Sequence, residues 1–265
     1  MTNAYDEPDG IAPRGTVLVV AGRGETTAAY QRFGRRIAAD GYRVRVLPDV
    51  TADLPAALAG AEKILVDDAL PGPHVVVGSD TGALFALALA ARRTPGLDAL
   101  VLAGLPVART NGDGTTAAGV NGTGTNGTGV NAATASGTGV SGTGVDLSGW
   151  DAEIEARTAC PAHRRVLGAG GATPGALSSA PIPIELIGLT GDTELPVLGL
   201  HGEDDVISPL AEAGVLYPGT LVTIAGGRHD VLNDVTHRTV AATVVLFLER
   251  LRLGAGLPVI ATARS

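Results

Sequence analysis

The chain is poor in sulfur, in rings and in positive charge, and each shortage narrows what it is. A single cysteine, Cys160, in 265 residues excludes an internal disulfide and fits a reducing compartment. Aromatic residues make up only 3% of the chain against 45% hydrophobic residues, so a sizeable core must be filled by aliphatic side chains. No apolar run approaches the roughly 20 residues of a membrane span, which excludes stable membrane insertion as a helix. The opening segment Met1–Arg14 is polar and acidic and lacks the basic-then-apolar order of a signal peptide, so a cytoplasmic location is expected. Lys and Arg total 19 against 27 Asp and Glu, for a net charge of −8, which argues against nucleic acid as a partner. A small-molecule substrate is the remaining expectation. No His, Cys or carboxylate cluster has metal-ligand spacing. Gly22-Arg23-Gly24 lacks the third glycine and the lysine of phosphate-binding loops. Neither a metal nor a cofactor is expected.

What is present is alternation. Thr16–Ala21 is a continuous apolar run, as in a strand buried on both faces of a parallel sheet. Thr27 to Asp40 follows with helical spacing and stops at Gly41. Strands are then predicted at Tyr42–Leu47, His74–Gly78 and Ala99–Leu105, with helices at Pro55–Ile64 and Gly82–Arg92. After an interruption the pattern resumes. Trp150–Arg157 reads as a short amphipathic helix, Pro196–His201 and Thr220–Ala225 as strands, and Pro209–Leu216 and Val235–Leu253 as helices. Prolines at 161, 174, 181 and 183 are expected to keep 160–195 irregular. Such alternation means a mainly parallel sheet with helices on both faces. The expected organisation is a loose arm over 1–13, one α/β domain formed by 14–109 and 150–255, and a tail over 256–265. Between the two parts of the domain, 110–149 is Gly, Thr, Asn, Ser and Ala in near-repeats. It cannot bury enough apolar area to offset its ordering entropy and reads as a disordered insertion.

The chain is organised around Val75-Val76-Val77-Gly78-Ser79-Asp80-Thr81-Gly82. A β-branched run stops, small residues follow and a helix begins. The spacing is small-x-nucleophile-x-small, a nucleophile elbow, whose two glycines are needed because strand and helix pack almost in contact there. The central residue is Asp80, not serine. A shifted frame with Ser79 as alternative nucleophile would place β-branched Val77 and Thr81 at the crowded positions, which favours Asp80. Asp80 also suits the plainer role of helix N-cap. Two later polar loops supply the other groups such an elbow requires. Asp205 follows one buried strand, with Asp204 as its competitor for the acid role, and His229 follows the next. The order nucleophile, acid, histidine is kept at 80, 205 and 229. Both loops also admit the simpler reading of solvated carboxylates and an ordinary loop histidine. Cys160 and His163 form a second nucleophile-base candidate, better read as a small buried thiol beside a surface histidine.

These residues carry a resemblance. Gly22-Arg23-Gly24-Glu25 with Tyr30, the run from Arg36 to Tyr42, the elbow from Gly78 to Ala83, His201 to Asp205, and the run from Gly226 to Asp234 together resemble the α/β-hydrolase superfamily. They are most similar to its monoacylglycerol lipase and lysophospholipase group, and they cover the chain apart from the arm and the insertion. The resemblance implies a metal-independent hydrolase with an α/β-hydrolase fold and a reduced or absent cap. It implies Asp205 as acid and His229 as base, and an oxyanion hole from the backbone N–H groups of Arg23 and Thr81. It also implies a small or lipid-like, ester-type substrate. Asp at the elbow instead resembles epoxide hydrolases and haloalkane dehalogenases, where a carboxylate attacks carbon to give an ester that water then hydrolyses. Those enzymes resemble one another in a helical cap that supplies tyrosines or halide-holding tryptophans, whereas here the cap position holds the Gly/Thr-rich insertion and a short segment with one tryptophan and no tyrosine, and residue 81 is Thr rather than Trp. A non-catalytic binding protein on the same fold is the third reading.

Overall fold

A computed structural model of the chain describes residues 3–110, 116–118, 147, 149–188 and 193–262. Its centre is a seven-stranded sheet. In chain order the strands are β1 (Asn3–Tyr5), β2 (Gly15–Val20), β3 (Tyr42–Leu47), β4 (His74–Ser79), β5 (Ala99–Ala103), β8 (Val197–Gly202) and β9 (Thr220–Ile224). Across the sheet the order is β1-β3-β2-β4-β5-β8-β9. All neighbours are parallel except β1 on β3. The short pair β6 (Ala108–Thr110) and β7 (Thr116–Ala118) forms a separate antiparallel ladder.

The continuous apolar runs have the cause that their composition suggests. Along β2 every residue is buried, and successive side chains enter opposite cores. Val17 and Val19 join a cluster with Val44, Val46, Phe33 and Phe247. Leu18 and Val20 join another with Val76, Leu100, Leu102 and Phe85. The first face is covered by α1 (Gln31–Ala39) and α7 (His237–Arg252), the second by α2 (Leu54–Leu65) and α3 (Thr81–Ala91). Helix α3 is apolar all round and buried from Thr81 through Leu89, so it lies under other structure rather than along the surface.

Some expectations need correction. The arm expected over 1–13 is pinned at one point. Asn3–Tyr5 pairs with β3 at the sheet edge, with Ala4 opposite Arg45, and Tyr5 fills the space over Gly34. Prolines do not keep the described part of 160–195 irregular throughout. Pro161 opens α5 (Pro161–Val166), where its missing N–H costs nothing, and α6 (Ala176–Ser179) follows beyond a kinked turn. Pro183 precedes a single 3₁₀ turn at Ile184–Leu186. Except for Thr110, 116–118, Leu147 and Gly149, the insertion expected over 110–149 lies outside the described residues. In the expected tail, Arg250 donates to the carbonyls of Leu257 and Pro258. No helix among the described residues is long and apolar enough to cross a membrane.

Candidate active site

Strand β4 ends at Ser79 and α3 begins at Thr81, so the whole turn is made at Asp80. Its backbone sits at φ 49°, ψ −120°. A non-glycine residue there stores strain, which persists only when the surroundings fix it. They do: the Asp80 N–H donates to Ala103 O at 3.0 Å, and the two flanking glycines leave no slack. A Cβ at Gly78 would lie 2.0 Å from the Gly82 carbonyl oxygen, and one at Gly82 would lie 2.2 Å from that of Val20. The frame is therefore centred on Asp80, and Ser79 is the last strand residue, its hydroxyl beside the Tyr30 phenol. Asp80 makes no side-chain cap to α3, which removes the N-cap reading. Gly82→Ala should cost about 3 kcal/mol by forcing strand and helix apart, read as a shift in urea midpoint at constant slope.

Asp205 and His229 arrive at this turn from neighbouring loops. Asp205 Oδ1 accepts the N–H groups of Ile207 and Ser208, both at 2.9 Å, which turns Oδ2 toward His229. That oxygen lies 2.8 Å from His229 Nδ1, and His229 Nε2 lies 3.5 Å from Asp80 Oδ1. Nε2 has no hydrogen-bond partner among the described residues. The loops themselves touch: a Cβ at Gly202 would meet the Gly227 carbonyl oxygen at 2.2 Å. Asp204 is exposed and leaves the acid position to Asp205. His201 is a packed histidine, as its strand position suggests, set between the Tyr217 hydroxyl and the Ser208 carbonyl at 2.7 Å each.

The side chain of Arg23 is the feature that sequence pattern did not reveal. Its backbone N–H donates to Asp80 Oδ2 at 3.0 Å, as the expected oxyanion donor would to a bound oxyanion. Its guanidinium then closes on the same carboxylate, Nε to Oδ2 at 2.7 Å and Nη2 to Oδ1 at 2.8 Å, while Nη1 donates to Leu177 O at 3.2 Å. Arg23 is 1% exposed, Asp80 2% and His229 1%. Thr81, the second expected oxyanion donor, opens α3, and its hydroxyl has no partner among the described residues. Burial opposes ionisation of Asp80, but the Arg23 charge and hydrogen bonds, with His229 close by, hold it well below the usual carboxylate range. Burial likewise opposes a charged His229. The charge and hydrogen bond of Asp205, and then the nearby Asp80 carboxylate, overcome it and raise the imidazole to about 10. In space the four groups alternate as guanidinium, carboxylate, imidazole and carboxylate.

No family model matches the chain, and no curated protein does. Solved structures do. A monoacylglycerol lipase from Paleococcus ferrophilus superposes at TM-score 0.61 with 15% identity, over 92% of this chain and 98% of that one. A soluble variant of monoglyceride lipase from Saccharomyces cerevisiae gives 0.61 and 14%, over 94% and 91%. An alpha/beta superfamily hydrolase from Oenococcus oeni gives 0.62 and 12%, over 94% of each chain. The fold is that of the α/β-hydrolases.

Beside this α/β-hydrolase turn lies a second buried polar cluster. Arg157 of α4 (Trp150–Arg157) donates Nη2 to the Arg23 carbonyl at 2.9 Å and to Glu153 at 3.1 Å. Its Nη1 lies 3.5 Å from both Glu25 and Asp230. Glu25 accepts the Gly22 N–H at 2.9 Å and the Tyr30 hydroxyl, so it fixes the loop that carries Arg23. Burial and the Asp230 charge raise Glu25 to about 7. Glu153 reaches the backbone of 175–177, next to the Leu177 carbonyl that Arg23 bonds. Asp234 ties the His229 loop down, accepting from the Arg228 N–H at 2.8 Å and from the Thr158 hydroxyl and the Ala159 N–H, also at 2.8 Å. Glu25, Tyr30, Asp230 and Asp234 lie inside the motifs that carried the resemblance, but their roles were not assigned. Glu153 and Arg157 carry an i, i+4 signal that is ordinarily a solvated pair.

Two further expectations change. His163 is not a surface histidine. It is buried, with Nε2 3.1 Å from Asp230. Cys160 is buried as expected, and its sulfur accepts from Arg32 at 3.3 Å rather than pairing with His163. The fold also brings Glu25, His163 and Asp230 within ligating distance of one another, although their sequence spacing gave no metal signal. The cation set between the two carboxylates of that trio is Arg157.

Proposed function

We propose that this chain is a metal-independent hydrolase of small or lipid-like organic substrates in which Asp80 attacks an electrophilic carbon, His229 activates water and Asp205 orients His229. The observation that carries this reading is the placement of the two Asp80 oxygens, one on the Arg23 backbone N–H and the other 3.5 Å from His229 Nε2. Acyl transfer to a carboxylate would give an anhydride, and the charge on Asp80 opposes an oxyanion forming beside it. Attack on carbon bearing a leaving group meets neither obstacle. Asp80 Oδ1 forms the new C–O bond while the leaving group departs with its electron pair. The charge on Asp80 is thereby lost, and with it one of the two carboxylates that keep His229 protonated. His229 releases its proton to solvent and becomes the base for the second step. Water gives a proton to His229 and its oxygen to the Asp80 carboxyl carbon. The oxyanion on Oδ2 is held by the Arg23 N–H, and the alcohol leaves with Oδ1 and the proton from His229. The lipase names of similar structures favour an apolar substrate body. The cytoplasm remains the expected location.

In His229→Gln the first step survives and the second fails. Incubation with short epoxides and haloalkanes should leave an adduct on the peptide containing Asp80, found by intact-mass and peptide mass spectrometry. Asp80→Asn should give none. A single turnover of the native protein in ¹⁸O-water should label Asp80 rather than the alcohol. Labelling of Ser79 by serine-directed phosphonates, with esterase activity that survives Asp80→Asn, would overturn the assignment. A second reading, a non-catalytic binding protein, is favoured by one observation, the two-pronged grip of the Arg23 guanidinium on Asp80. Absence of both adduct and turnover across epoxides, haloalkanes and esters would select it.

A further inference from the structure

Away from the elbow, Cys160 is a nucleophilic side chain that the chemistry at Asp80 leaves unused. It immediately precedes α5 and is 6% exposed. Its sulfur accepts from Arg32 Nη1 at 3.3 Å. Nη2 of the same guanidinium donates to the Asn233 carbonyl, so one arginine spans the cysteine and the segment that follows His229. Burial raises the thiol, but the Arg32 bond and the nearby backbone N–H groups of His163 and Ala162 outweigh it and bring the thiol below its ordinary value. Such a thiol is more often the thiolate, which is the nucleophilic form. The three residues that face the sulfur, Arg32, Ala162 and His163, also line a cleft of about 80 Å³ together with Asn233. That is several times the space one water needs, enough for a molecule the size of a peroxide. Asn233 is 2% exposed, and its Oδ1 is buried with no hydrogen-bond partner among the described residues. A buried carbonyl oxygen without a donor is costly. What the cleft lacks is a group that accepts from Arg32 and donates to Asn233. A thiolate can only accept, whereas a sulfenic acid does both.

We propose that Cys160 is a peroxide-reactive thiol whose sulfenic acid is retained between Arg32 and Asn233 and whose oxidation is felt by the His229 loop. The thiolate attacks the terminal oxygen of a peroxide. The S–O bond forms as the O–O bond breaks, and the electron pair leaves on the second oxygen, which takes a proton from solvent and departs as water or an alcohol. Sulfur loses two electrons and the peroxide gains them. The chain has no second cysteine to convert the product into an internal disulfide, so it persists until an outside thiol reduces it. The new oxygen cannot fit into the 3.3 Å contact between sulfur and Arg32, so one of them must move. Both are tied to the His229 loop. Arg32 holds the Asn233 carbonyl. The N–H groups of Ala159 and Cys160 donate to Asp234 Oδ1 at 2.8 and 3.1 Å, and Asp234 Oδ2 accepts from Arg228 N–H at 2.8 Å, one residue before His229. The oxidation itself is independent of the chemistry at Asp80.

The test treats the full chain with hydrogen peroxide at pH 7, traps sulfenic acid with dimedone, and follows the Cys160 peptide by mass spectrometry. The folded protein should form the adduct at least about fivefold faster than the same chain unfolded in urea, because only the fold brings Arg32 to the sulfur. Arg32→Gln should fall to the unfolded rate. Asn233→Leu, which keeps the volume and removes the acceptor, should form the sulfenic acid as fast but pass on to the sulfinic acid sooner. In the native protein, peroxide should shift the His229 ring resonances, dithiothreitol should restore them, and Cys160→Ser should show neither change. A folded chain that reacts no faster than the unfolded one would overturn the reactive thiol, and this comparison needs no variant to fold. A folded Arg32→Gln that reacts at the native rate would overturn the role of the guanidinium. An unchanged lifetime in Asn233→Leu would remove Asn233 from the site. Oxidised Cys160 with unmoved His229 resonances would overturn the link to the loop.

Discussion

Arg23→Met should destabilise the protein by about 3–5 kcal/mol, the range for removing one partner of a buried ion pair. Methionine keeps most of the volume and none of the charge, so the loss is not a cavity effect. Asp80 would be left ionised and buried with only its backbone donor and His229. The carboxylate has no route to solvent, because the Asp80 turn is fixed by Ala103 O behind it and by both elbow glycines. Asp80→Asn alone should destabilise comparably, since it orphans the guanidinium instead. The double change Arg23→Met with Asp80→Asn should recover to within about 1–2 kcal/mol of the native chain, because a neutral pair needs no counter-charge. Urea denaturation of the four proteins closes this cycle. Single variants as stable as the native chain would mean that water reaches the pair, and that the charge argument at the site fails.

How much of this was legible in the chain depends on the kind of signal. The parallel strands were, because β2 and β4 are buried on both faces and their apolar runs admit few alternatives. The elbow frame was, because only Gly78 and Gly82 satisfy the contact between β4 and α3. The order of Asp80, Asp205 and His229 was, because each follows a strand and so reaches the same edge of the sheet. Arg23 was legible only for its backbone N–H. A motif specifies where a main chain passes, whereas the direction of a long flexible side chain is set by what it finds on arrival, here Asp80 and Leu177 O. Glu153 and Arg157 fail for a related reason. Their spacing is the same for a solvated pair and a buried one, and burial is decided by the 171–177 segment that packs over them. His163 could not be placed because Asp230, its partner, lies 67 residues away. Strand β1 carries three residues with no periodicity to read, and exists because β3 offers an open edge.

The second large effect is a loss of stability in mild alkali. His229 is raised from its ordinary value to about 10 by Asp205 and Asp80 against the cost of burial. A group whose folded value lies above its unfolded one stabilises fully below the unfolded value, about 6.5 for histidine. That contribution is lost as pH rises through the folded value. The native protein should therefore lose on the order of several kcal/mol of unfolding free energy between about pH 7 and 10. Glu25, raised to about 7, acts with the same sign at lower pH, and Asp230, held low, acts against it, so their joint effect falls below this window. His229→Gln should flatten the profile above pH 7, which separates His229 from groups common to both proteins. The His229 ring should stay protonated through pH 8 by NMR. In Asp80→Asn it should titrate markedly lower, because that change copies the charge loss on alkylation and removes one of the two carboxylates paired with the ring. The same shift that weakens the fold would then supply the base for the second chemical step. A ring that titrates near 6.5 in the native chain, or that ignores Asp80→Asn, would break the link between the Asp80 charge and the timing of water activation.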